Sequence, residues 1–156
     1  MHELRIRPAR PGDRDDRAFL AVISPRLETV VPPWVRPGAL AGAVERSVLA
    51  AFDEQRDGEA MLIAEEADGS RVGFAYLTTS RNVNGEPVGF VSELAVAPDA
   101  EGRGFATALL AAAESWSRDA GHAAVTLAAF CVNERALALY QRLGYAPNVL
   151  HLRKPL

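Results

Sequence analysis

The stretch Glu93-Leu94-Ala95-Val96-Ala97-Pro98 leads, two residues on, into Glu101-Gly102-Arg103-Gly104-Phe105-Ala106-Thr107. An apolar run stops at a proline, a glycine-rich turn follows, and helical spacing begins with Phe105, Leu109, Ala112, Ala113 and Trp116 on one face. Glu114, Arg118 and Asp119 fall outside that face, and Gly121 ends the helix. A strand therefore delivers a turn that opens a helix. The first turn of a helix carries unpaired N–H groups and the positive end of the dipole, so glycines there let a phosphate approach the amides. The pattern is not that of a dinucleotide-binding unit. The sixth position of G-x-G-x-x-G is Thr107, and the turn lies two thirds along the chain instead of after a first strand.

Working outward, Ala123 to Phe130 reads as a further apolar strand, so residues 89–130 form strand, helix, strand and imply a local parallel pairing. Upstream, residues 61–65, 72–79 and 89–96 read as a meander. Asp68-Gly69 and Asn84-Gly85 separate them as turn signals, the second in a longer loop closed by Pro87. Residues 3–8 alternate with period two and predict a first strand. A helix is expected from Asp15 or Asp16 to Ser24, with Asp13, Asp15 and Asp16 as helix-start acids that also offer charge to a cationic ligand. Residues 25–38 hold four prolines around Val30, Val31, Trp34 and Val35, too many for a continuous helix. A second helix is expected over 39–56, another over 133–143 stopped by Gly144, and a final strand over 149–153. The expected architecture is a single α/β domain (α+β type) over 1–156, with a mixed, mostly antiparallel sheet of six or seven strands and about four helices.

At 156 residues, 49% hydrophobic and 24% charged, the chain has the composition of one globular domain. A net charge of −3 argues against nucleic acid, which needs a basic surface. Cys131 is the only cysteine, so an intrachain disulfide and a cysteine-based zinc site are excluded. His2, His122 and His151 show no metal-ligand spacing, and no metal is expected. No run approaches a membrane span and the N-terminus lacks a leader's apolar segment; a cytoplasmic protein is expected.

The run Asn133-Glu134-Arg135-Ala136-Leu137-Ala138-Leu139-Tyr140-Gln141-Arg142-Leu143-Gly144-Tyr145 resembles the closing motif of the GNAT superfamily of acyl-CoA-dependent N-acetyltransferases. Residues 101–106 resemble that family's pyrophosphate loop, and Leu94-x-Val96-x-Pro98 resembles the strand end before it. The match is specific from Phe90 to Tyr145. The resemblance implies acetyl-CoA as co-substrate, with the backbone of Leu94, Ala95 and Val96 pairing with the pantetheine amides across a gap between this strand and the next. It implies that the amides of Gly102, Arg103, Gly104, Phe105, Ala106 and Thr107 hold the pyrophosphate. Asn133 is implied to bond the pantetheine arm or to fix the loop before the last helix, and Tyr140 to be the general acid at the thioester sulfur. Where the family usually has Arg or Gln, this chain has Glu101, a carboxylate that repels a pyrophosphate unless Arg103 supplies the local positive charge.

Acetyl transfer to an amine also needs a base, because an amine of pKa about 10 is protonated at pH 7 and only the neutral form attacks. Glu93, on the strand that binds the co-substrate, is the candidate, acting directly or through water. The expected acceptor is a small-molecule amine or a protein N-terminus, and homodimerisation is left open. A non-catalytic acyl-CoA-binding module of the same fold is the alternative. Without the motif, Tyr140 reads as a core aromatic and Glu93 as a solvated strand residue. Trp116 reads as core, Trp34 as core or as part of an acceptor site, Cys131 as a small buried hydrophobe, and His122 as a surface turn residue.

Overall fold

The computed structural model describes residues 4–156; residues 1–3, which include His2 and the first residue, Glu3, of the expected first strand, lie outside the described residues. Elements follow in the order β1 (Arg5–Pro8), α1 (Arg14–Ile23), a 3-10 turn (Ser24–Glu28), α2 (Ala39–Glu54), β2 (Ala60–Glu65), β3 (Arg71–Arg81), β4 (Pro87–Val96), a second 3-10 turn (Pro98–Ala100), α3 (Phe105–Asp119), β5 (Val125–Leu127) and α4 (Glu134–Arg142). The described sheet has five strands in sequence order, not the expected six or seven. All pairings are antiparallel except β4 with β5, which is parallel, as the strand–helix–strand reading requires.

Period-two alternation sorts side chains onto two faces. Leu62, Ala64, Ala75 and Leu77 meet Phe105, Leu109, Leu110 and Ala113 of α3. Ile63, Phe74, Tyr76 and Ala95 meet Leu20, Ile23, Val44, Val48 and Phe52 of α1 and α2. The middle strands, buried on both faces, are thus nearly continuous apolar runs.

At the opposite end of the sheet from β5, Asp13 caps α1 by accepting from the amides of Asp15 and Asp16 at 2.9 and 3.0 Å. Asp16 is fully buried and accepts from Arg7 Nη1 and Nη2 at 2.9 and 2.8 Å, from Arg71 Nε at 2.6 Å and from the Arg10 amide at 2.8 Å. Arg7 also donates to Glu65 at 2.7 Å. These acids hold β1, β3 and α1 together, and Asp16 is closed to any cationic ligand.

Three expectations fail toward the C-terminus. The strand expected over 123–130 is reduced to Val125–Leu127, and that over 149–153 is not formed: residues 145–156 run without regular structure. A strand needs a neighbour for its ladder, and no other strand reaches that part of the chain. Cys131 is exposed, because it lies in the turn between β5 and α4 and not on a packed element. His122 is half-buried against Trp116, with ring centroids 5.0 Å apart, and its Nε2 lies 3.2 Å from Thr79 Oγ1. Trp116 packs against the α3-side core as expected.

Candidate active site

β4 and β5 diverge. Their register runs only from Gly89 opposite Val125 to Val91 opposite Leu127, while β4 stays paired with β3 up to Val96. Among the described residues the edge of β4 that faces away from β3 is therefore open from Ser92 to Val96, at the place where the resemblance implies a gap. The β3–β4 register also slips, passing from Leu77 opposite Val91 to Tyr76 opposite Glu93, so Ser92 is the extra residue of a bulge. A bulge bends its strand and re-aims the adjoining side chain, here at the head of the open edge.

Glu93 lies opposite Tyr76 on the face that meets α1 and α2. Burial pushes its carboxyl up from the ordinary 4.5 to about 7, and no charged neighbour offsets the loss of hydration. Tyr140, on α4, packs against the core on the opposite, α3 face. Burial raises its phenol, which keeps it protonated near neutrality. Its ring meets Tyr145 edge-on at 6.0 Å. The Tyr145 hydroxyl donates to Glu114 at 3.2 Å, whereas the Tyr140 hydroxyl makes no hydrogen bond among the described residues. The carboxyl of Glu93, raised by burial, and the uncommitted phenol of Tyr140 thus lie on opposite faces of the sheet.

Past the end of β4, Gly102 and Gly104 have φ of +75° and +91°, and a Cβ built on either meets nothing within 4 Å. The glycines serve the left-handed turn, not a tight fit against the protein. Gly104 is the N-cap of α3 and no side chain caps it, so the amides of Phe105, Ala106 and Thr107 are left without a helical or capping partner. These are the amides of the expected anion cradle, at the start of a helix of 15 residues.

The charged side chains around the cradle depart from expectation. Arg103 is engaged by Glu66 at 2.7 Å and lies 5.5 Å over the Phe105 ring, so it turns to β2's end and not across the loop. Glu101 bonds Arg26 of the first 3-10 turn at 2.6 Å and also Arg135 of α4. Its charge is compensated by two guanidiniums. Arg135 lies inside the motif and was visible in it; Arg26 carries no sequence signal, because its partner is 75 residues away. Asn133 caps α4, its side-chain oxygen accepting from the Ala136 amide at 3.2 Å.

Beyond the gap, Trp34 meets Phe130 edge-on with centroids 6.4 Å apart, and the Arg153 guanidinium lies 4.9 Å from the Trp34 ring. Trp34 is 52% exposed, so it is not a core residue. Phe130 was missed because only the tertiary structure places it beside Trp34. Among the described residues no cluster of His, Cys, Asp or Glu is arranged to hold a metal, and no helix is long and apolar enough to cross a membrane.

A sequence model described as "Acetyltransferase (GNAT) family" matches residues 28–145. An aminoglycoside N(6')-acetyltransferase type 1 of Stenotrophomonas maltophilia is 36% identical over 103 residues, 62% of this chain and 67% of that one. A mycothiol acetyltransferase of Pseudarthrobacter chlorophenolicus is 34% identical over 143 residues, 90% of this chain but only 42% of the relative. Among solved structures, that of AAC(6')-Iy with the bisubstrate analogue CoA-S-monomethyl-acetylneamine superposes with TM-score 0.70 at 26% identity, covering 99% of each chain.

Proposed function

The chain belongs to the acetyltransferase (GNAT) family, and on that premise we propose that it transfers the acetyl group of acetyl-CoA to a primary amine by direct attack on the thioester. The observation that carries this reading is the open edge of β4, with Glu93 raised to about 7 at its head and the uncapped start of α3 at its foot. An extended pantetheine arm pairs with the free edge at Leu94, Ala95 and Val96 as an added strand would, while the loop from Gly102 to Thr107 receives the pyrophosphate on backbone amides. Arg26 and Arg135 offset the Glu101 charge beside it.

Glu93, its carboxyl raised toward neutrality by burial, removes the ammonium proton directly or through water. The neutral amine adds to the thioester carbonyl, and strand N–H groups stabilise the oxyanion. Collapse breaks the C–S bond, Tyr140 protonates the leaving thiolate, and the proton that the nitrogen sheds returns to the Tyr140 oxygen through water, giving the neutral amide, free CoA and the phenol. Trp34 and Phe130 form the wall beside the acceptor. The relatives named for aminoglycoside and mycothiol acetylation support a small-molecule amine, with a protein N-terminus as the other candidate class.

The test pairs acetyl-CoA binding by calorimetry with release of CoA thiol over a panel of amines. Binding with amine-dependent thiol release supports the enzyme; binding without release across the panel supports an acyl-CoA-binding module. Gly104→Val forces a β-branched residue into φ +91°, so the turn must shift; we expect at least about tenfold weaker CoA binding in a folded variant. Unchanged affinity removes the cradle from the account.

A further inference from the structure

α2 ends at Gln55, whose φ of +46° makes it the one non-glycine in the left-handed region among the described residues. Glycine is the usual residue at such a helix end, so the chain accepts an unfavourable backbone here in order to turn back toward the start of β2. Thr79 holds the return, its hydroxyl donating to the Gly58 carbonyl at 2.9 Å. β1 pairs with β2 only as far as Pro8 opposite Leu62, with the Ala9 amide reaching the Met61 carbonyl at 2.8 Å. Ala60 therefore has β3 on one side and no described strand on the other. A cavity of about 290 Å³ opens at this corner.

Its walls are aromatic and its polar side is acidic. Phe52, Tyr76 and Trp116 line it together with Met61, and Trp116 is braced by its edge-on contact with His122. On the polar side Arg56 donates to Glu54 at 2.7 Å and stands 3.7 Å from Glu59 Oε1, so one guanidinium is shared by two carboxylates. Glu59 Oε2 is buried and has no hydrogen-bond partner among the described residues. Burial and the neighbouring Glu59 carboxylate push the Tyr76 phenol up to about 12, so it stays neutral and offsets none of that charge. A buried acceptor left unsatisfied is costly, and negative charge beside aromatic rings is the chemistry that recognises an organic ammonium. The N–H satisfies the carboxylate, and the rings attract the cation while covering its apolar part.

We propose that this cavity is a second ligand site, separate from the acetyl-transfer centre, which binds a small primary ammonium with a compact apolar body. The ammonium donates to Glu59 Oε2, and the body rests against Phe52, Tyr76 and Trp116. In the sheet Tyr76 lies between Met61 and Glu93, so the cavity is on the β2 side, two strands from the open edge of β4. An anion is repelled by Glu59, and a small inorganic cation gains no cover from the rings. This inference does not depend on the acetyl-transfer reading.

Trp34 and Trp116 are the only tryptophans of the chain, so their indole N–H signals report separately on the acceptor wall and on the cavity. The isotopically labelled full chain is titrated by amide NMR with benzylammonium, and with benzyl alcohol as a neutral probe of similar shape. Benzylammonium should give saturable shifts of the Trp116 indole and of the amides of residues 55–60, whether or not Trp34 responds, with a Kd of about 1 mM or tighter. Binding should weaken at least about tenfold for benzyl alcohol and in Glu59→Gln, which keeps the shape and removes the charge. Ala51→Leu puts a longer side chain at a lining position and should suppress the same shifts with Glu59 intact. No shift at Trp116, shifts confined to Trp34, or Trp116 shifts indifferent to Glu59→Gln overturn the site. Where Glu59→Gln does not fold, indifference to Ala51→Leu overturns it.

Discussion

Asp16 and Glu93 are both carboxyls withdrawn from water, one at the β1 end of the sheet and one at the head of the open β4 edge, and they are driven in opposite directions. For Asp16, burial alone raises the pKa, but hydrogen bonds from Arg7, the Arg10 amide and Arg71 outweigh it and hold the carboxyl well below the usual carboxylate range. For Glu93, burial acts unopposed and lifts the group to about 7. Burial pushes both carboxyls up, and the hydrogen-bond partners decide whether the net shift stays up or turns down. A carboxylate locked in the charged form ties strands together, and one left near neutrality is available to move a proton.

The strongest way to break this contrast is Asp16→Ala, which leaves Arg7 and Arg71 without their shared counter-charge. Removal of one member of a buried ion network costs about 3–5 kcal/mol, so the urea midpoint should fall steeply or the chain should not fold. A loss under about 1 kcal/mol would show that Glu65 alone suffices for Arg7.

Glu93→Gln is the matching change at the other pole. It should lower kcat/KM by about 10³-fold and abolish the rise in rate centred near pH 7, because an amide accepts no proton there. A retained rate, with chemistry shown to limit turnover, transfers the proton to a water relay without this carboxyl. Tyr140→Phe removes the uncommitted phenol while keeping its packing, and we expect about a 10²-fold loss in kcat with CoA affinity nearly unchanged. Equal kcat makes Tyr140 structural.

The two acids should also tilt stability oppositely with pH. Asp16 is depressed in the folded state, so its contribution is present above its ordinary pKa of 3.8 and is lost on strong acidification. Glu93 is raised, so the folded chain binds the proton more tightly than the unfolded one, and stability falls as pH climbs from 4.5 through 7. Glu93→Gln escapes that loss and should be more stable than the parent by about 2 kcal/mol at pH 8, and nearly equal to it at pH 4. Urea denaturation at the two pH values measures this, and a variant no more stable at pH 8 contradicts the raised carboxyl.

Glu101 is the intermediate case, a half-buried carboxylate with two arginine partners at the cradle. Glu101→Gln frees Arg26 and Arg135 beside the pyrophosphate position and should tighten CoA binding by less than about 1 kcal/mol. Calorimetry at two salt concentrations checks it, since an electrostatic gain shrinks as the Debye length falls from about 30 Å at 0.01 M to about 10 Å at 0.1 M.

How much of this was legible differs from residue to residue. Apolar runs and turn dipeptides placed β2, β3 and β4 and their antiparallel order, because those signals are local. The left-handed turn at Gly102 and Gly104 was equally legible, since glycine is what a positive φ asks for. Cys131 was misread as buried because composition reports how often a residue type is buried, not whether its segment is packed. The expected last strand failed for a related reason: alternation in residues 149–153 is a real local preference, but a strand exists only where an edge receives it.

By itself the sequence determined the order of elements up to α4, the parallel step from β4 to β5 and the glycine turn into α3. These follow from side-chain periodicity and backbone preference, which act over a few residues, whereas Glu93 and Tyr140 became candidates through the family resemblance. The tertiary structure alone decided that β5 leaves β4 after Val91, that Glu101 is neutralised by Arg26 and Arg135, and that Asp16 is charged while Glu93 titrates near 7. Those outcomes depend on which groups distant in sequence are brought within a few ångströms, and on how much water is left between them.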